Sequence, residues 1–109
     1  MILRTWLTRI DESRAGEYEA FARQRSVPMF RSMPGFAGVL FGARAGERVV
    51  ITLWDDLEAI EALENSESYQ STVAAIAATG FLEGDSSVDI VELDGAILVG
   101  NLVDRIPHW

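Results

Sequence analysis

The chain has 109 residues, 49% of them hydrophobic, and a formal net charge of −8 from 17 acidic and nine basic residues. This length predicts one domain over residues 1–109. All basic residues are Arg, and the acidic balance disfavours nucleic acid and anionic membrane surfaces as partners. The absence of cysteine excludes disulfides and thiolate catalysis and fits a reducing compartment. There is no long apolar span and no signal-peptide pattern, so we expect a cytoplasmic protein.

The first third of the chain predicts a strand followed by a helical region. Residues 2–9 place apolar side chains on both faces of a strand, and Asp11 or Ser13 can cap the helix that follows. Pro28 admits two interpretations. It either kinks this helical region or occupies the first turn of a second helix capped by Ser26.

A hairpin follows Pro34-Gly35, which ends the helical region. Residues 36–43 alternate as a strand, and the turn at 45–47 leads into residues 49–54, where four β-branched residues precede Leu53 and Trp54. Both faces of this third strand are mainly apolar. Since one domain of this size has few elements to cover the second face, the pattern indicates a second subunit.

The second half of the chain predicts two helices, a strand and an apolar tail. Asp55 and Glu58 resemble a capping box for the first helix. The predicted elements are helices over 56–64 and 67–78, a strand over 88–93, and a strand-like tail from about residue 94 to 109 that we expect to serve dimer contacts.

The order of these elements predicts the fold class. Strand, helix, strand, strand, helix, strand is the ferredoxin-like pattern of the α+β class. We expect a four-stranded antiparallel sheet with the helices on one face. Two such sheets packed face to face would cover the apolar second face in a homodimer.

Several segments then carry a resemblance to a known family. The chain resembles the antibiotic biosynthesis monooxygenase (ABM) domain family of the dimeric α+β barrel superfamily. The segments are Pro34-Gly35-Phe36, the strand end ITLW with DDLEAIEALENSESY after it, TGFLEG at 79–84 and DGAIL at 94–98. The resemblance implies a homodimer with a pocket between sheet and helices in each subunit. It also implies cofactor-free oxidation of polycyclic phenols or quinols with O2, although other members degrade haem.

The resemblance implies substrate-site residues at four positions, of which this chain matches one. Trp54 matches a tryptophan that lies near the substrate in polyketide-tailoring members, whereas Val50, Ile60 and a residue near Thr72 stand where those members carry Asn, Tyr and Arg. Haem degradation is disfavoured because the chain has no helical His and its one His is His108. Neither a metal nor an organic cofactor is expected.

Four side chains are the candidate substrate contacts, and each has a structural alternative. Trp54 can stack on a flat aromatic molecule or seal the sheet. Trp6 can face the same cavity or pack in the core. Tyr69 can donate a hydrogen bond to a substrate oxygen or point to solvent, and Arg25 can stabilise an enolate or extend along the surface.

The remaining polar residues indicate no further catalytic group. Glu58, Glu61, Glu64 and Glu67 are spaced as a solvated helix surface, and Asn65 and Ser66 are typical of helix caps. The leading hypothesis is therefore a cofactor-independent monooxygenase acting on a small aromatic phenol or quinol, with no general base identified. The alternatives are a non-catalytic binding or sensing domain and a barrel performing another proton transfer, such as an isomerisation or cyclisation.

Overall fold

The computed structural model describes all residues from 1 to 109. Short single-turn helices also occur at Glu12–Arg14 and Leu102–Arg105. The main elements, in chain order, are β1 Ile2–Ile10, α1 Ala15–Phe21, α2 Val27–Arg31, β2 Phe36–Arg44, β3 Glu47–Trp54, α3 Leu57–Asn65, α4 Glu67–Ala78 and β4 Leu82–Glu92.

The four strands form one sheet in the order β2-β3-β1-β4, and every neighbouring pair is antiparallel. The helices cover one face of this sheet, against which Ile2, Val50 and Trp54 are buried. This arrangement confirms the predicted ferredoxin-like α+β fold. Because side chains alternate along a strand, the even-numbered residues of β1 and β3 face the helices and the odd-numbered ones face away.

The helical region between β1 and β2 is continuous from α1 to α2. Ala22–Ser26 forms a wider helical turn that joins them. Ser26 has helical backbone angles and makes no capping hydrogen bond with its side chain. Pro28 therefore lies inside a continuous helical region, directly after this wider turn, and no separate capped helix begins at Ser26.

The caps of the next two helices follow local side-chain chemistry. The Asp56 carboxylate accepts a hydrogen bond from the backbone N–H of Ala59 at 2.9 Å. Asp56 is the N-cap of α3, so the prediction of Asp55 was wrong by one residue. The Ser66 hydroxyl accepts from the N–H of Tyr69 at 3.1 Å and begins α4, whose bounds match the prediction.

The C-terminal part departs most from expectation. β4 begins at Leu82, six residues before the predicted start at 88. The apolar tail after β4 forms no strand; it is irregular up to the short turn at Leu102–Arg105. A strand requires a hydrogen-bonded neighbour, and the tail has none within the protomer. Its last ring, Trp109, stacks on Phe41 of β2 with a centroid distance of 4.2 Å.

The buried apolar residues form two separate clusters. One contains seven buried residues, among them Phe30 and Trp54, and the other contains Ile10, Tyr18, Ile76 and Phe81. Trp6 of β1 packs against both clusters. A domain of this size usually has one contiguous core, so the division marks a gap under the helices.

Candidate functional site

A cavity of about 400 Å³ occupies this gap between sheet and helices. Its volume lies within the range of small-molecule pockets. Most of the residues around it are apolar. The walls come from all four strands and from α1, α2 and α4. They include Trp6, Phe21, Met29, Phe30, Val50, Thr72, Val73 and Ile76. The cavity therefore suits a small, mainly apolar molecule.

A buried cation lies at one end of the cavity. Arg4 of β1 is only 3% exposed and lines the cavity wall. Its Nε and Nη2 donate to Glu64 Oε2, each at 3.3 Å, and Nη2 also donates to the Tyr69 hydroxyl at 2.7 Å. The Glu64 side chain is 40% exposed. Solvent therefore screens this ion pair, which leaves the buried guanidinium incompletely balanced.

Arg4 and Tyr69 together present two donors to the cavity. Arg4 Nη1 takes part in none of the hydrogen bonds of this side chain. Because every fully buried side-chain nitrogen of the protein has a hydrogen-bond partner, Nη1 is not fully buried and adjoins open space. The Tyr69 oxygen accepts from Arg4, which leaves its own proton free to donate. Two such donors beside an apolar space are the arrangement that stabilises an oxyanion.

Tyr18 contributes a neutral hydroxyl elsewhere on the wall. Its side chain is buried, lines the cavity and has its ring edge against Phe81. Burial raises the pKa of the Tyr18 hydroxyl to about 12, opposed by the nearby Arg48 cation. The hydroxyl therefore stays protonated at neutral pH and can act only as a neutral hydrogen-bonding group there.

The end of the cavity away from Arg4 is formed by an irregular part of β4. Gly84, Asp85 and Ser86 all line the cavity, next to a break in the pairing of β4 with β1. The Ser86 hydroxyl donates to Thr8 Oγ1 at 2.9 Å, which fixes this part of β4 against β1.

Two of the four predicted contacts lie at the cavity. Trp6 and Tyr69 line it. Trp54 lies outside it, fully buried, with Nε1 donating to Thr52 Oγ1 at 2.8 Å and its ring against Phe30 and Phe36. Arg25 is exposed and also lies outside, with its guanidinium 5.5 Å from the centre of the Phe21 ring.

The sequence interpretation did not include Arg4. The signal that identifies it is alternation along β1, since Ile2, Arg4 and Trp6 share a face and a cation between two large apolar residues is unusual on a buried face. Glu64, which the sequence predicts to be a solvated helix residue, is also the ion-pair partner of Arg4. Val50 and Thr72 both line the cavity; the resemblance implies polar side chains at position 50 and near position 72 in polyketide-tailoring members.

The family model for antibiotic biosynthesis monooxygenases matches residues 1–75. The chain belongs to this family. The matched residues comprise β1 to β3, α3 and most of α4, so they include Arg4, Glu64 and Tyr69. No curated protein sequence matches the chain.

Solved structures of the same fold cover almost the whole chain. A monooxygenase from the gene ActVA-Orf6 of Streptomyces coelicolor, in complex with the ligand Nanaomycin D, has a TM-score of 0.75 and 16% identity over 91% of this chain and 92% of its own. SnoaB, a cofactor-independent oxygenase from Streptomyces nogalater, has a TM-score of 0.71 and 16% identity over 88% and 95%.

A third structure sets the limit of this likeness. NE2512, a protein of unknown function from Nitrosomonas europaea, has a TM-score of 0.73 and 17% identity over 91% of this chain and 94% of its own. Two oxygenases and a protein of unknown function thus resemble the chain equally well, and the likeness establishes the fold alone. None of the helices has both the length and the hydrophobicity that a membrane span requires. The structure contains no group of three or more acidic or histidine side chains that could hold a metal ion.

Proposed function

We propose that the cavity binds a small aromatic phenol or quinol and that the protein oxidises it with O2 without a cofactor. The observation that carries the proposal is the buried Arg4 guanidinium and the Tyr69 hydroxyl, two donors that meet beside an apolar cavity of about 400 Å³. The resemblance to SnoaB, a cofactor-independent oxygenase, agrees with it. Arg4 and Tyr69 are proposed substrate contacts, with Trp6 as the apolar surface against which the rings lie.

The chemistry follows from how a phenol reacts. A phenol or its keto tautomer gives electrons to O2 readily only after it has lost a proton. A neighbouring cation favours the deprotonated form and lowers the pKa of a bound phenol. In the low-polarity cavity this electrostatic stabilisation is stronger than in water. The protein would hold the anion, exclude water and leave the substrate to supply the electrons.

The experiment measures O2 consumption with a panel of anthrones and hydroquinones, alongside quenching of tryptophan fluorescence as a binding signal. We expect both binding and O2 uptake, and an Arg4→Gln variant that loses most of the uptake. Binding without uptake on any member of the panel would favour the non-catalytic binding domain. Absence of binding would contradict both functions.

We also propose that the protein is a homodimer built on the open face of the sheet. The face opposite the helices carries apolar side chains that nothing covers in the protomer. Among them, Leu7 is 37% exposed, Leu40 46% and Val91 47%, and Val49, Ile51 and Leu53 lie between them on β3. A contiguous apolar face of this kind is typical of a subunit interface.

A further inference from the structure

The cavity has a second end, where β4 departs from regular pairing. Leu7 pairs with Ser87 and Arg9 pairs with Glu83, so the single residue Thr8 lies opposite residues 84–86. This is a bulge, and Gly84, with φ of 70°, accommodates it.

The bulge changes which side chains reach the cavity. In a regular strand successive side chains point to opposite faces, so at most one of two neighbours can face a given side. Here Asp85 and Ser86 are both at the cavity wall, at positions that are also exposed to solvent. The hydrogen bond from the Ser86 hydroxyl to Thr8 Oγ1 secures the bulge on β1. Bulges are frequent beside active sites because they redirect a side chain in this way.

Asp85 is the only carboxylate among the residues that line the cavity. It takes part in none of the side-chain hydrogen bonds or ion pairs of the protein, whereas Glu12, Glu17, Glu47 and Glu64 are all paired with arginines. His108 does not line the cavity. Among the cavity residues, Asp85 is therefore the one whose side chain is a carboxylate base.

Asp85 and Arg4 lie at opposite ends of the cavity. Thr8, which faces the bulge, is four residues from Arg4, or about 13 Å along the strand. Trp6 lies midway between Arg4 and Thr8 and faces this space. A fused aromatic ring system fits there, with one end near the carboxylate and the other near the guanidinium.

We propose that Asp85 is the general base of this site, acting on substrates whose acidic C–H and carbonyl lie on opposite sides of one ring of a conjugated system. The C–H bond breaks, and its proton passes to the Asp85 carboxylate. The electron pair is delocalised through the rings onto the carbonyl oxygen. That oxygen becomes an oxyanion beside Arg4 Nη1 and the Tyr69 hydroxyl. The inference rests on the proposed ligand class, but this step is complete without O2.

The test separates this step from oxygenation by excluding O2. Anthrone is incubated with the protein in D2O under argon, and deuterium entering its CH2 group is followed by NMR above the uncatalysed rate. We expect Asp85→Asn to reduce catalysed exchange by about 100-fold or more, the usual contribution of a general base. Asp85→Glu should restore part of the exchange, because the carboxylate is retained.

Two controls accompany the variants. Glu83→Gln removes a charge from the same strand at a residue that does not line the cavity, and it should leave exchange unchanged. Quenching of tryptophan fluorescence by anthrone should show that Asp85→Asn still binds, which verifies that the variant is folded.

Each outcome bears on one proposal. Exchange that persists at the wild-type rate in Asp85→Asn, or binding of anthrone by the wild type without exchange, would overturn the assignment of Asp85. Exchange that depends on Asp85, without O2 uptake in air, would overturn the oxygenase function and leave Asp85 as the base of a proton-transfer reaction.

Discussion

The two faces of the sheet differ in how they treat polar groups, although the same strands build both. The face under the helices buries Arg4, Thr8 and Thr52, each with hydrogen-bond partners, and Arg4 lines the cavity there. The open face carries apolar side chains without cover, among them Leu40 and Val91. This difference supports our proposals that the first face binds a ligand and the second binds another subunit. Substitutions on alternate residues of the same strands should therefore have unlike effects.

The largest effect is expected at Arg4. Arg4→Gln keeps hydrogen-bonding capacity but removes the cation, so the oxyanion loses its main stabilisation and the oxidation rate should fall about 100- to 1,000-fold. Arg9→Gln is the matched control on the open side of the same strand, where it should leave the rate intact. Steady-state O2 uptake provides the measurement. Equal rates in Arg4→Gln and the wild type would remove the basis for the site.

The next effect concerns assembly through the open face. Ile51→Arg places an unpaired charge in the middle of the proposed interface, which should weaken dimerisation by a factor on the order of 1,000. Light scattering should give the mass of a dimer for the wild type and of a monomer for the variant. Leu57→Arg, at a residue 56% exposed on α3, is the matched control and should remain dimeric. A wild type that is monomeric at micromolar concentration would contradict the proposed assembly.

A smaller effect, on thermal stability, is expected at Trp54, and it distinguishes a packing role from a ligand contact. Trp54→Phe removes part of a fully buried ring and the hydrogen bond to Thr52, at a cost of about 1–3 kcal/mol in the free energy of unfolding. Each kcal/mol lowers Tm by about 4–8 °C in a domain of this size. Thermal unfolding should show this loss while anthrone affinity is retained. A variant with unchanged Tm and lost affinity would instead make Trp54 a ligand contact.

The smallest expected effect is electrostatic and lies at the hairpin. The Arg48 guanidinium and the backbone N–H of Gly46 donate to Glu12 and lower the pKa of its carboxyl below the ordinary 4.5. Because the folded-state pKa is depressed, the stabilisation is complete above pH 4.5 and is lost as the pH falls through the folded-state value. The wild type should therefore have a slightly higher Tm than Glu12→Gln at neutral pH, and this difference should disappear in acid. A difference that grows in acid would have the wrong sign.

The sequence could predict the elements better than the site, for a physical reason. Helix caps and apolar periodicity act over a few residues, so α4 from Glu67 to Ala78 and the end of β3 at Trp54 were predicted correctly. The Arg4 cluster joins residues 60 and 65 positions apart in the chain, and no local pattern encodes such a contact. The bulge at Gly84 likewise depends on pairing with β1. The prediction of a strand in the C-terminal tail was wrong because apolar composition does not show whether a partner strand is available.

The proposed role of Arg4 and Tyr69 is to stabilise a bound phenolate, and the ionisation of a bound probe is a direct readout of that role. 2-Naphthol absorbs at longer wavelength as its anion, so its pKa can be measured by absorbance in the presence of saturating protein. A cation at hydrogen-bonding distance should lower the pKa of the bound probe by about 1–3 units, and Arg4→Gln should abolish the shift. A bound-state pKa equal to or above that of free 2-naphthol would contradict stabilisation of the anion by Arg4 and Tyr69.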